Sequence, residues 1–450
     1  MKKRILLCSQ WVNRYRPLIK ALLDSGSYQL FCEDGVVNRI GFSHPDLLSY
    51  QSFMPPFAQG SLKAEARMRL FAMLPHLNLT AENEIPDYQN CKFSSDSSRI
   101  TADLEESLEQ VLYMLEAFDK LQQELHLDLL MVDGPGIKQQ SWIAAAKQQG
   151  IPSLEIYHGS IHVKPKMLPR RQVHADYMAM GSALIKDVYL QQGLADDRLR
   201  VTGLPAAPMA IPDRDTAMQS LAEKYGLNPH KKVALLYTSY EAGDALELLF
   251  DLGEGFPLEV LKGTLGAVKT VDERSDSGLQ LIIKRHPTMA EVGWDDPVAY
   301  RYIARKMGSA PILVDPHESN PLLLAAADAV VCVRFSSTIS EAINAEKPVL
   351  LWPNSRDWLH DDLLHSGAIV PIEDEKTLVE ALHRCCYDEN FQRDIDVARQ
   401  RYFARYPHVP VQHALENILC YIGEIVHRDR DCAIPRSISI NHDSVIPETV

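Results

Sequence analysis

Short apolar runs recur along the chain, each closing on polar residues, and most are followed by a longer stretch whose apolar positions return at helical spacing. "RILLCS" opens the series. A polar-apolar helical stretch from Arg14 to Leu23 follows, with Gly26 as its stop, and "YQLFCEDG" is the next strand. Strands separated by helices of this size predict a parallel sheet with crossover helices. The rhythm breaks over residues 36–100, rich in Pro, Ser, Asn and Phe, which are expected to form an insertion of loops and short helices beside a cleft. From Thr101 to Leu127 the spacing predicts a long amphipathic helix behind a threonine cap and early acids. "DLLMVDGPG", "KQQSWIAAAKQQG" and "IPSLEIYHGS" then read as strand, helix and strand.

After "HADYMAMGS" and "LRVTGLPAAP", the proline-rich passage at 206–216 reads as a linker. A second α/β series follows: "KKVALLYTSYE", "LQLIIKRHP", "APILVD", "ADAVVCVRFSSTISEAINAEKPVLLWP" and "GAIVPI", with helices to about residue 427. The stretch 428–450 has no periodicity and is expected to be a loose tail. A chain of 450 residues exceeds the size at which single cores stop growing. The expectation is therefore an N-terminal unit over 1–205, carrying the 36–100 insertion, and a C-terminal unit over 206–427.

Charge narrows the function classes. A formal net charge of -14, with no Lys/Arg-rich face in view, argues against general nucleic-acid binding, which draws its affinity from basic surface. The opening "MKKRILLCSQW" has an apolar run too short for a signal peptide, and no stretch is long and apolar enough to span a membrane. These features predict a cytoplasmic chain, at most peripheral at the inner face of a membrane. The eight cysteines, at 8, 32, 91, 332, 385, 386, 420 and 432, form no C-x-x-C pair and read as buried thiols in a reducing compartment.

In an open parallel sheet ligands bind beyond the carboxyl ends of the strands, where helix starts present free amides to anions. Those ends carry unusual chemistry here: Glu33-Asp34-Gly35, Asp133-Gly134, His158-Gly159, Gly203, Thr238-Ser239, Lys284-Arg285-His286-Pro287 and Ser336-Ser337-Thr338. Ser336, Ser337 and Thr338 precede a helix through Glu341, so hydroxyls and amides could take a phosphate while Glu341 accepts from ribose hydroxyls. A plain capping box has the same pattern. Lys284 and Arg285 supply countercharge and His286 a further donor, with Pro287 fixing the turn; a solvated charge cluster is the alternative. Glu33 or Asp34 is a candidate general base, and His158 another. A helix-capping or ribose-binding acid and a buried, satisfied histidine are the competing roles. Metal binding is poorly supported, because His158 with His162, and "HDDLLH" at 360–365, lack a third partner.

Taken in order, "EDG" (33–35), "YHGS" (157–160), "VTGLP" (201–205), "LLYTSY" (235–240), "KRHP" (284–287) and "FSSTISEAINAEKPVLLW" (335–352) resemble the GT-B glycosyltransferases. The resemblance is to the branch holding bacterial capsule Kdo transferases, sialyltransferases and polysialyltransferases, with the related teichoic-acid glycerophosphotransferases. It implies an α/β fold of two Rossmann-like domains facing each other across a cleft. It also implies a metal-independent transfer of a sugar such as Kdo or sialic acid, from a CMP- or UDP-linked donor, to a surface glycan or glycolipid, with no further cofactor. By matching position, His286, Ser336 and Ser337 would hold the donor phosphate and Glu341 the ribose, with an acid of Glu33-Asp34 or His158 as the base. A nucleotide-sugar epimerase or hydrolase on the same scaffold is the alternative enzyme; a non-catalytic nucleotide-sugar-binding scaffold is the alternative outside catalysis.

Overall fold

The computed structural model describes residues 2–9, 12–56, 60–73, 97–134, 136–156, 174–191, 193–204, 211–238, 256–287, 290, 296–333, 337–352, 361–406, 409 and 411–427. Its strands form two parallel sheets. The first contains β1 (Lys3–Cys8), β2 (Tyr28–Cys32), β3 (Leu47–Ser49), β4 (Leu129–Val132), β5 (Ser153–Ile156), β6 (Tyr177–Met180) and β7 (Leu199–Val201), in the order β3-β2-β1-β4-β5-β6-β7. The second contains β8 (Lys232–Tyr237), β9 (Leu279–Lys284), β10 (Ile312–Val314), β11 (Ala329–Val333), β12 (Val349–Trp352) and β13 (Val370–Pro371), in the order β10-β9-β8-β11-β12-β13. Continuous apolar runs such as "AVVCV" are buried along their whole length, as strands covered on both faces must be.

Helices cover both faces of each sheet. On the first, α1 (Val12–Asp24) packs one side, while α4 (Ser97–Leu125) and α5 (Ile137–Gln148) pack the other around Phe118, Leu121 and Trp142. Three further helices, α2 (Asp34–Arg39), α3 (Lys63–Met73) and α6 (Ala183–Gln191), complete this half. On the second sheet α8 (Phe256–Arg274), α9 (Pro297–Lys306) and α13 (Glu375–Tyr387) cover one face; α7 (Arg214–Tyr225), α10 (Asn320–Ala326), α11 (Ser337–Asn344) and the short α12 (Asp361–Leu364) cover the other. This is the α/β, two-unit Rossmann-like architecture expected.

Several boundaries differ from the expectation. The stretch 36–100 was expected to lie outside the sheet, yet β3 falls within it and pairs with β2 from Leu30↔Leu47 to Cys32↔Ser49. Three residues are too few to show a period. Helix α4 begins at Ser97, so Thr101 lies inside the helix and is not its cap. Early acids of α4 turn instead towards α3: Glu105 accepts from Arg67 Nε at 2.7 Å, and Glu109 accepts from the Leu62 amide at 3.1 Å. The linker at 206–216 ends sooner than expected because Asp213 caps α7, accepting from the Thr216 amide at 2.9 Å. Of the six cysteines within the described residues, five are buried and Cys420 is exposed.

The chain finishes by crossing over. Helix α14 (Glu389–Arg405) packs Tyr402 into the second sheet's core, whereas α15 (Val411–His427), which sequence order appends to the second series, inserts Ile418, Tyr421, Ile422 and Ile425 into the first sheet's core beside α1. Tyr421 donates to the Arg198 carbonyl at 3.0 Å, and Arg200 pairs with Glu424 at 2.7 Å while lying 4.3 Å from the Tyr421 ring centre. Gly203 makes this crossing fit. Its φ is +82°, and a Cβ there would lie 2.7 Å from Ala414 Cβ and 3.0 Å from Val409 Cβ.

Gly203→Ala should therefore lower stability by about 1–3 kcal/mol, from left-handed backbone strain plus overpacking under α15. Chemical denaturation checks this: an unchanged midpoint would mean that α15 is free to shift.

Candidate functional site

Both sheets contain a point at which the chain, having laid strands in one direction, returns to build in the other. In the first it lies between β1 and β4, and in the second between β8 and β11. Connections leave these strand ends in opposite directions, which opens a crevice beyond them. Polar side chains collect at both.

At the second sheet, Thr238 follows β8. Its amide donates to the Lys284 carbonyl at 3.1 Å, and its hydroxyl accepts from the His286 amide at 2.9 Å. These bonds tie the exit of β8 to that of β9 and fix the backbone of "KRHP", whose half-buried Pro287 then opens a turn closed by the Ala290 amide on the His286 carbonyl. Burial first, and then the charge of Lys284, depress the His286 imidazole below the ordinary histidine value. The ring is accordingly a neutral hydrogen-bonding group at neutral pH. Arg285 is half-buried next to it.

Lys284 has a different role from the one expected. It is 6% exposed, its ammonium donates to Asn320 Oδ1, and Asn320 Nδ2 donates to Glu341 Oε2 at 2.5 Å. The cation anticipated for a bound anion is thus engaged inside the unit, because its strand-end position points it under α10 and α11. Burial lowers its pKa, while the charges of Glu341, Glu318 and Asp315 act in the opposite direction. Tyr237, the last residue of β8, lies under the same cluster with Lys284 Nζ 5.9 Å from its ring centre; its hydroxyl is buried with no hydrogen-bond partner among the described residues. Thr338, in the first turn of α11, places its hydroxyl 3.9 Å from Cys332 Sγ.

At the first sheet, Ser9 follows β1 and donates to Asp133, which follows β4. Both side chains are buried. Gly134 comes next, where an added Cβ would meet nothing within 4 Å among the described residues. Glu33, at the end of β2, is ion-paired with Lys138 from the first turn of α5. Lys138 Nζ also donates to the Tyr50 hydroxyl at 2.6 Å and lies 4.8 Å from the Trp142 ring centre. Burial, then the charges of Cys8 and Glu33, push the Tyr50 phenol far up, so it stays protonated. Asp34 stands apart: it is exposed, opens α2 and accepts from Ser49.

Two clusters thus emerge from the expected residues: Thr238, His286, Lys284, Thr338 and Glu341 on one sheet, and Glu33, Asp133 and Gly134 on the other. Gly203 belongs to neither, since its close approach is to α15. His158, Gly159, Ser239 and Ser336, and the Ser337 side chain, lie outside the described residues. The sequence reading missed Ser9, Tyr50, Lys138 and Asn320. Lys138 could have been found as a lysine in the first turn after "DGPG", where a cation opposes the helix dipole. Tyr50 could not, since it depends on β3. Among the described residues, no group of three His, Cys, Asp or Glu side chains could hold a metal ion, and no helix is long and apolar enough to cross a membrane.

The fold is GT-B-like. Over 94% of this chain and 100% of the other, it matches a UDP-GlcNAc 2-epimerase from Neisseria meningitidis bound to UDP-GlcNAc, with a TM-score of 0.58 at 13% identity. A glycosyltransferase from Rickettsia africae matches over 95% and 100%, with a TM-score of 0.54 at 11% identity. Anabaena HepE, in complex with UDP and glucose, matches over 94% and 100%, with a TM-score of 0.54 at 11% identity. No family model and no curated protein matches the sequence.

If Lys284 and Glu341 offset each other through Asn320, either Lys284→Met or Glu341→Gln alone strands one buried charge, and the double variant should be more stable than the two losses summed. A coupling of about 1–3 kcal/mol is expected in a denaturation cycle. Strict additivity would show that the two charges do not communicate.

Proposed function

We propose that the protein is a nucleotide-sugar-dependent glycosyltransferase that binds its donor at the second sheet's crevice and activates its acceptor at the first. The observation that carries this is the second-sheet cluster, where Thr238 fixes the backbone of His286 at 2.9 Å and Asn320 holds Glu341 at 2.5 Å. A hydrogen-bonding imidazole, a helix start at Ser337 and a restrained carboxylate suit a phosphate and the ribose attached to it. The shared fold of enzymes solved with UDP and UDP-GlcNAc supports a UDP-linked donor first. The motif resemblance supports, as the finer form, a CMP-linked Kdo or sialic acid and a surface glycan or glycolipid acceptor, reached by peripheral contact with the membrane.

Glu33 is the base in this reading. It is half-buried at the end of β2 and paired with Lys138, whereas Asp34 is exposed on the outer turn. The acceptor hydroxyl gives its proton to the Glu33 carboxylate as its oxygen bonds to the anomeric carbon; the anomeric carbon–phosphate oxygen bond breaks, and its electron pair leaves with the nucleotide. His286 and the start of α11 stabilise that developing charge, a task that needs donors held in place beforehand.

A second reading, a UDP-sugar 2-epimerase, is favoured by a specific observation: epimerases solved with UDP or UDP-GlcNAc match this chain along 94% of its length. Proton NMR in deuterated water separates the two, since inversion at C2 through loss of that hydrogen brings in solvent deuterium without an acceptor, and transfer does not. Release of free sugar alone would indicate a hydrolase, release of cytidine nucleotide from CDP-glycerol a glycerophosphotransferase, and nucleotide binding with no turnover a scaffold.

Calorimetric titration with UDP, CMP, CDP and GDP should show binding of one of them, weakened about 10–100-fold by His286→Ala, the scale of a hydrogen bond to a charged group. Because His286 is neutral at pH 7, wild-type affinity should rise as pH falls below the ordinary histidine range, where protonation adds a cation beside the phosphate. That slope should vanish in His286→Ala. No binding by any nucleotide would defeat the reading.

A further inference from the structure

Resting on the reading of Glu33 as the base, we infer that Lys138 is a positioning residue for it, holding its carboxylate aimed, with Tyr50 as the third member of the arrangement. Lys138 reaches Glu33 from α5, across the mouth between β2 and β4, and donates to Tyr50 at 2.6 Å at the same time. The ammonium is boxed in by aromatic rings: its nitrogen lies 5.1 Å from the Tyr50 centre and 4.8 Å from that of Trp142, and those rings meet edge to face at 5.5 Å. Four carbons of lysine side chain are thereby immobilised to place one charge against one carboxylate. The Tyr50 phenol, kept protonated, accepts from Lys138 and remains able to donate to Glu33, so the carboxylate is restrained by two groups that come from different elements.

Among the described residues, the cation paired with Glu33 is Lys138. Cys32 precedes it on β2, Asp34 follows it, Cys8 lies on β1, Asp133 ends β4, and Tyr50 follows β3. Cys8 is fully buried, with its thiol far above the usual range chiefly through burial, and burial likewise pushes Cys32 up to about 12. A carboxylate here therefore sits among neutral thiols, a neutral phenol and another acid. Without Lys138 it loses the ion pair that fixes its direction.

Lys138→Met keeps the length and the apolar contact with Tyr50 and Trp142 while deleting the charge. Under the proposal, kcat for sugar transfer falls about 10–1000-fold with nucleotide affinity unchanged, since the donor site is on the other sheet. The loss falls on kcat and leaves the donor KM unchanged, because the carboxylate stays in place but loses the contact that aims it. Lys138→Arg restores most of the rate. Lys138→Gln, which retains a donor but no charge, supplies the same comparison should the methionine variant fail to fold. A wild-type kcat in both uncharged variants would overturn the proposal, as would equal loss of nucleotide binding, which marks general structural damage. Nucleotide binding in the wild type without any turnover overturns the assignment of Glu33 as base and this proposal with it, and that result is distinguishable because it appears before any substitution is made.

Discussion

The two polar clusters are arranged by one constraint: all strands of a sheet run the same way. A parallel ladder sends every carboxyl end to one edge, and the reversal in strand order opens that edge at a single place. Ser9, Glu33, Tyr50 and Asp133 in one sheet, and Thr238, Lys284 and His286 in the other, are far apart in sequence and adjacent only because their strands end together. The cores on both faces of each sheet hold the strands in register, so the clusters inherit the rigidity of buried β-structure.

Within each cluster, burial does most of the electrostatic work. Lys284 is driven towards its neutral form by desolvation and restrained by the carboxylates nearby, which links a strand residue through Asn320 to Glu341 on a different helix. Lys138 pairs with Glu33 at the other cluster, and both side chains are largely buried. In a low-dielectric surrounding such pairs order their partners more than they stabilise the fold, because desolvation offsets much of the attraction.

The helix that crosses back from the second sheet to the first gives the two units a shared element. Gly203 permits it, and Arg200, Tyr421 and Glu424 fasten it. A residue that the order of motifs assigned to the cleft is thus spent on joining the units, and the signal was ambiguous for a physical reason: a glycine needed for close approach looks the same whether the approaching group is a ligand or a methyl.

The sequence by itself determined the alternation of strand and helix, the division into two series, and which residues stand at strand ends. Those follow from local periodicity, and "KRHP", "EDG" and "TGL" are strand exits in the folded chain as well. It also identified His286, Glu341 and Glu33 as chemically notable. What only the tertiary structure decided was the partner of each. Whether Lys284 meets an anion or an asparagine depends on the face of β9 that α10 covers; whether Glu33 stands alone depends on Lys138, from a helix more than a hundred positions away, and on Tyr50, delivered by a strand too short to carry a pattern. Side-chain pairing across strands is set by strand order and burial, and neither is written in any local stretch of residues.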